Sequence, residues 1–243
     1  MSEDSNFRVK PGVLYLVSTP IGNLGDITLR TLEVLRQVDI IAAEDTRKSK
    51  ILLQHFQIQK PMMSYHDFNK EKVTPKLIEN LEQSQSIAVI TDAGTPGISD
   101  PAFYLVREAI TKKIHIESIP GATAFVPALI LSGLPTDRFI FEGFLPAKKG
   151  RQTRLEALTE EQRTMIFYES PFRIIRTLKD LYNALGDRRA AIVREISKKF
   201  EEIVRGNLSE LAERESSLTL KGEFVLVVEG LTREQIKARK KNE

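Results

Sequence analysis

The sequence predicts an α/β protein of two α/β lobes, the N-terminal lobe around a mostly parallel sheet and the C-terminal lobe around a mixed sheet. Three observations predict it. Through the first half, short apolar runs alternate with helical patterns, as successive βαβ units do. Around residues 190–205, two strand-like runs follow one another with no helix between them, which requires an antiparallel hairpin. Gly, Pro and helix-capping residues separate the runs throughout and punctuate the chain at the element ends.

The elements follow in order. Val13–Val17 reads as a buried strand, and Leu29, Leu32 and Leu35 form an apolar stripe on the helix after it. Ile40–Ala43 is the second strand, with a helix through Ile51–Phe56 behind it. Thr74-Pro75 has the form of an N-cap with proline at the first helical position, opening a helix through Leu77 and Leu81. Ile87–Thr91 is a central strand; Asp100-Pro101 repeats the cap signal and starts a helix to about Lys112. Ile114–Ile119 is the next strand. The second half opens with a helix, Ala122–Ser132, closed by Gly133. Strands follow at Arg138–Gly143, Thr164–Tyr168, Ala190–Arg194, Glu201–Arg205 and Glu223–Glu229. Helices begin at Ser170-Pro171, ending before Gly186, and cover Leu208–Glu215. These elements divide into an N-terminal domain (1–118), a C-terminal domain (119–232) and a basic tail (233–243), with a cleft between the lobes.

Composition narrows the classes. A chain of 243 residues, 41% hydrophobic and 28% charged, buries a sizeable core unaided. It has no cysteine, which excludes disulfides, thiolate metal sites and a cysteine nucleophile. The polar start, MSEDSNFRVKPG, has no apolar core of a signal peptide. No apolar run approaches the roughly 18 residues that span a bilayer, so a cytoplasmic location is expected. The three histidines, His55, His66 and His115, are scattered, and no metal is expected. Net charge is only +3, but basic residues cluster at Lys148–Arg154, Arg188–Lys199 and Arg233–Lys241. Each cluster reads either as a solvated face or as a nucleic-acid contact.

Four strand-end loops are rich in Gly, Pro, Thr and Asp, the residues that let a backbone approach a ligand. They are Ser18–Asn23, Thr91–Pro101, Pro120–Ala124 and Tyr168–Pro171. In parallel α/β sheets ligands bind at these ends. None is a P-loop or a GxGxxG turn, so a ligand recognised through polar groups rather than phosphates suits them.

The stretches TPIGNLGDIT, AAEDTR, TDAGTPGISDP, PGATA, DRFIFEGFLPAKKGR, IFYESPFR and KGEFVLVVEG occur in that order over about residues 12–230. In these motifs the chain resembles the tetrapyrrole-methylase-like (class III) methyltransferases, and among them those that methylate small-subunit ribosomal RNA. The resemblance implies the two-lobed tetrapyrrole methylase fold, a homodimer, and S-adenosylmethionine in the cleft between the lobes. It implies methyl transfer to the ribose 2′-hydroxyl of a cytidine in the decoding centre of 16S rRNA, within the 30S subunit. Carried over by position, the cofactor contacts fall on Pro20, on Asp92, Ala93, Gly94, Thr95 and Ile98, on Thr123 and Ala124, and on Glu169 and Ile196 or Ser197. Glu169 stands where many tetrapyrrole enzymes have a methionine, so only a main-chain role transfers. Loop two reads Gly-Thr-Pro where those enzymes have Gly-Asp-Pro, which disfavours a tetrapyrrole substrate.

Moving a methyl group onto a hydroxyl needs alignment and a base. The candidates are Glu44 and Asp45, where like-charge repulsion would raise one pKa but which equally read as a cap of the next helix through Asp45 or Thr46, and Asp100, which with Pro101 reads more readily as a helix cap than as a base. Lys148, Lys149, Arg151, Arg154, Arg173 and His66 are the candidate RNA contacts; Arg173 and Arg194 read equally as internal ion pairs. Two alternatives remain: a methyltransferase of the same fold acting on a tetrapyrrole or other metabolite, and a non-catalytic RNA-binding assembly protein.

Overall fold

The computed structural model describes residues 7–214 and 218–242. The chain folds as two units divided between Thr123 and Ala124. The first contains β1 (Leu14–Val17), α1 (Leu29–Gln37), β2 (Ile40–Ala43), α2 (Thr46–His55), β3 (Met62–Ser64), α3 (Lys70–Glu82), β4 (Ile87–Ile90), α4 (Ala102–Thr111) and β5 (Ile116–Ile119). The strands lie in the order β3-β2-β4-β1-β5, every pair parallel. Such a sheet is covered on both faces, which is why β4 is Ile-Ala-Val-Ile and buried throughout. Val34, Leu35 and Leu53 from α1 and α2 pack on Tyr15, Val17 and Ile41. Leu77, Leu81 and Leu105 from α3 and α4 pack on Leu14, Ala42 and Val89 of the other face. Each such leucine contributes about 1.5–3 kcal/mol on burial.

The chain leaves β1 toward β2 and leaves β4 toward β5, in opposite directions along the sheet. Each connection therefore passes over the other's strand, and the Ser18–Asn23 and Thr91–Pro101 loops lie side by side at the carboxyl ends of β1 and β4, the end at which parallel α/β sheets bind ligands.

Two expectations in this unit are corrected. Thr74-Pro75 does not open a helix, because α3 starts at Lys70 and contains Pro75. Asn69 fixes that earlier start: its Oδ1 accepts from the His66 N–H at 2.8 Å and its Nδ2 donates to the Ser64 carbonyl at 3.0 Å. Thr74 is buried and pairs with the Tyr65 hydroxyl at 3.2 Å. The α1 stripe runs through Thr31, Val34 and Leu35, while Leu29 stays exposed at the helix start. Strand β3, three residues long, is too short to show a period.

The second unit contains α5 (Phe125–Ser132), β6 (Phe139–Phe144), α6 (Arg151–Ala157), β7 (Thr164–Glu169), α7 (Ile174–Leu185), β8 (Arg189–Arg194), β9 (Glu202–Asn207), α8 (Leu208–Ala212), β10 (Phe224–Val228) and α9 (Arg233–Asn242). Its sheet has the order β6-β7-β10-β8-β9; β6 and β7 are parallel and the other pairs antiparallel, including the β8–β9 hairpin. Phe167, Leu178, Leu181 and Leu226 lie in its core. Gly133 ends α5 in the left-handed region, at φ 74°, where a side chain would be strained.

Here too the sequence reading needs correction. Helix α7 starts at Ile174, because residues 170–173 form a turn rather than its first turn of helix. Residues 151–157, a basic stretch in the sequence, form a helix, α6. The tail is helical as α9. Glu215, the expected end of α8, lies outside the described residues. Arg188, first member of a basic cluster, is wholly buried and donates to the carbonyls of Glu161, Thr159, Glu229 and Leu185 at 2.6–3.4 Å. Among the described residues no helix is long and apolar enough to cross a membrane, and no cluster suits a metal ion.

Candidate active site

Loops after β1, β4 and β5 converge in the first unit. Thr19 and Gly94 form an isolated antiparallel bridge, and the Thr19 hydroxyl donates to the Thr91 carbonyl at 3.2 Å. The hydroxyls of Ser18 and Thr95 lie 3.0 Å apart, and Thr95 donates onward to the Ala122 carbonyl at 3.1 Å. Two glycines make this closeness possible. A Cβ on Gly121 would stand 2.8 Å from the Ser18 Cβ, closer than such atoms approach. Gly94 sits at φ 87°, and a Cβ there would meet Ile21 at 3.4 Å and the Ala122 carbonyl at 3.6 Å. Further along the same loop, Gly97 and the non-glycine Ser99 also take positive φ, 92° and 64°. Strained backbone of this kind collects at ligand sites.

The carboxylates at these strand ends have distinct surroundings. Glu44 Oε2 accepts from the Thr91 hydroxyl at 2.6 Å and the Asp92 N–H at 3.3 Å. Asp92 in turn accepts from the Asp45 N–H at 3.1 Å and from Lys48 Nζ at 2.5 Å. Asp45 caps α2 through the Arg47 N–H at 2.9 Å, and the Arg47 guanidinium grips both its oxygens at 3.1 and 2.8 Å. That grip holds the Asp45 carboxyl well below the ordinary carboxylate range. The expected mutual raising by Glu44 therefore does not operate at Asp45: the arginine two residues on outweighs the like charge. Lys48, which the sequence reading passed over, is the partner of Asp92; its place one turn into α2 was the available signal.

Asp100 differs. Its carboxylate accepts from the Gly97 N–H at 2.8–2.9 Å and the Ala102 N–H at 2.9 Å, capping α4. Burial pushes its pKa up, against those two donors, which pull it down. His66, after β3, has a buried Nδ1 without a hydrogen-bond partner among the described residues.

The second-unit candidates separate into used and available groups. Glu169 is buried and accepts from the Thr177 hydroxyl at 2.6 Å, the Arg173 guanidinium at 3.2 Å and the Ser170 N–H at 2.8 Å. Its side chain thus serves the interior of this unit. Arg173 also donates to the Leu145 carbonyl at 2.5 Å. Arg151, expected at a nucleic-acid surface, is buried and donates to Asp180 at 2.7 Å, Thr177 at 2.8 Å and the Pro146 carbonyl at 3.2 Å. Arg194 pairs with Glu202 at 2.9 Å. Arg154 is bidentate on Glu142, both contacts at 2.6 Å, yet half exposed. Lys148 and Lys149 are exposed and form no ion pair with a described residue. Ile196 is buried between Glu195 and Ser197, both at positive φ.

A parallel unit with a crossed-loop cradle, joined to a mixed-sheet unit, is the architecture of the tetrapyrrole methylases. The family model for tetrapyrrole (corrin/porphyrin) methylases matches residues 13–212. The fold is also that of a uroporphyrin-III C-methyltransferase from Thermus thermophilus, with a TM-score of 0.64 at 18% identity, covering 95% of this chain and 98% of that one. Closer in sequence are proteins named ribosomal RNA small subunit methyltransferase I. That of Synechocystis sp. is 52% identical over 225 residues, 92% of this chain and 81% of its own. That of Bacillus subtilis is 46% identical over 232 residues, 95% and 80% of the two chains. The chain belongs to the ribosomal RNA small subunit methyltransferase I family of tetrapyrrole-type methylases.

Proposed function

We propose that this protein transfers a methyl group from S-adenosylmethionine to the ribose 2′-hydroxyl of a cytidine in the decoding centre of 16S rRNA. The substrate is the RNA within the 30S subunit, and the enzyme acts as a cytoplasmic homodimer. The observation that carries the reading is identity near one half, over most of the chain, to proteins named for small-subunit rRNA methylation.

The residues present suit the cofactor. Gly94 at positive φ and Gly121 pressed against Ser18 bring the loop backbones together, and the loops offer main-chain polar groups without a phosphate-binding motif. Pro20, Asp92, Ala93, Gly94, Thr95, Ile98, Thr123 and Ala124 would hold it, with main-chain contacts at Glu169 and Ile196. When bound, the sulfonium supplies an already electrophilic methyl group.

The protein's remaining tasks are to align the hydroxyl and to accept its proton. Of the three carboxylates, Asp100 is best suited to the second. It lies in the strained loop and its proton affinity is raised, which is the direction a general base requires. Asp45 is weakened as a base by Arg47; Asp45 as the α2 cap and Glu44 through Thr91 and Asp92 hold the loop ends in place. Lys148 and Lys149 contribute phosphate contacts. Transfer of labelled methyl from S-adenosylmethionine to isolated 30S particles, compared with free 16S rRNA, tests the reading. Labelling of neither RNA would refute it.

A further inference from the structure

Outside the strand-end cradle, the second unit holds a cavity of about 570 Å³ whose lining includes Phe141, Glu142, Phe144, Pro146, Thr153 and Arg154. Three independent features set it apart from a gap between side chains. First, β6 carries a bulge between Phe141 and Gly143, with Gly143 at φ 61°. Bulges re-aim side chains, and just beyond this one Phe144 is 54% exposed although it lies in a strand. Second, Phe144 is the open end of a run of aromatic contacts, edge-on to Tyr168 at 5.7 Å, with Tyr168 on Phe141 at 5.0 Å and Phe141 on Phe125 at 5.0 Å. The ring is thus buttressed from behind while its surface is open. Third, Arg154 is held by both oxygens of an almost wholly buried Glu142. That fork fixes the guanidinium plane, and a fixed guanidinium is a second surface on which a base stacks. Lys148 and Lys149, exposed and without an ion pair among the described residues, lie in the loop between two lining residues, Pro146 and Gly150.

A held aromatic ring, a planar guanidinium and adjacent free ammonium groups are what single-stranded RNA requires: stacking for the base and charge for its phosphates. We propose that this cavity takes one unpaired nucleotide of the RNA substrate, its base against Phe144 and Arg154 and its phosphates against Lys148 and Lys149. The inference rests on the rRNA reading and adds where the second unit grips a nucleotide.

The test is binding of a short fluorescein-labelled single-stranded RNA, and of the same strand with abasic riboses, by anisotropy. Phe144→Leu keeps the apolar volume and removes the stack, so it should weaken the intact strand about ten-fold and leave the abasic strand unchanged. Thr153→Trp, on the exposed face of α6, should block the cavity with the same signature. Lys148→Ala with Lys149→Ala should lower the slope of log K against log salt by about 1.4, equally for both strands. Intact-strand binding unaltered in both Phe144→Leu and Thr153→Trp would overturn the proposal. So would weaker binding to 30S particles with unaltered binding to the strand, which would assign the cavity to a ribosomal protein. Failure of the unaltered enzyme to bind RNA or to methylate 30S particles would instead refute the underlying rRNA reading.

Discussion

Thr19 and Gly94 exchange both backbone hydrogen bonds, at 2.9 and 3.1 Å, although they belong to loops leaving different strands. The bridge ties the carboxyl ends of the neighbouring strands β1 and β4 together at the point where their connections cross. Its geometry depends on the positive φ of Gly94, a region that disfavours L side chains by about 1–2 kcal/mol and branched ones by more.

Gly94→Val should therefore distort the cradle locally. S-adenosylmethionine affinity, read by calorimetry, should fall at least about ten-fold, equivalent to about 1.4 kcal/mol, while circular dichroism stays unchanged. Gly121→Ala, whose Cβ would clash with Ser18, should act in the same direction. Unchanged affinity in a folded Gly94→Val protein would remove this loop from the cofactor site.

The carboxylates make opposite predictions. Asn retains a cap acceptor at either position, so Asp100→Asn and Asp45→Asn should both fold. Asp100→Asn should lower kcat about 10²–10⁴-fold with little change in cofactor affinity. Asp45→Asn should have a far smaller effect, since its acid strength suits a cap rather than a base. Because Asp100 must be ionised to act, wild-type kcat should rise with pH through its raised pKa, and this acidic limb should vanish in Asp100→Asn. Equal losses in the two variants would contradict the assignment.

Much of this architecture was legible in sequence, and the misses have physical causes. Ile40–Ala43 and the β8–β9 hairpin were visible because their apolar runs are bounded by turn residues. Thr74-Pro75 misled because a cap signal is local, whereas the Asn69 bonds to Ser64 and His66 that fix the α3 start depend on the tertiary turn. The loops of the cradle were legible as Gly- and Pro-rich strand ends. The fate of the basic residues was not: charge marks Arg151 and Arg154 alike, while only packing shows one buried on Asp180 and the other half exposed on Glu142.

Arg151 accordingly predicts a stability effect. Arg151→Gln removes the buried guanidinium that joins Asp180, Thr177 and the Pro146 carbonyl, leaving Asp180 only Arg176 at 3.6 Å; loss of one side of a largely buried pair is destabilising. Thermal unfolding should shift downward by several degrees, while RNA affinity of the folded variant stays near wild type. Weaker RNA binding with unaltered stability would return Arg151 to the nucleic-acid surface.

Glu161 predicts an acid dependence. Arg163 bonds its carboxylate at 2.7–2.8 Å and lowers its pKa to about 2 from an ordinary 4.5. A depressed carboxylate stabilises the fold above its unfolded pKa and loses that contribution as pH falls through the folded value. The stability difference between wild type and Glu161→Gln should thus be constant above about pH 4.5 and disappear toward about pH 2. With Arg163 partly exposed, it should not exceed about 1 kcal/mol. A difference that grows on acidification would contradict the pairing.

The acceptor atom is the centre of the account, and the chain's lack of cysteine removes the usual nucleophile for base-carbon methylation. The most direct measurement is to methylate 30S particles with labelled S-adenosylmethionine, digest the 16S rRNA to nucleosides and identify the labelled product by mass spectrometry. The account predicts 2′-O-methylcytidine as the labelled nucleoside. A label on the base, or on any nucleoside other than cytidine, would contradict it.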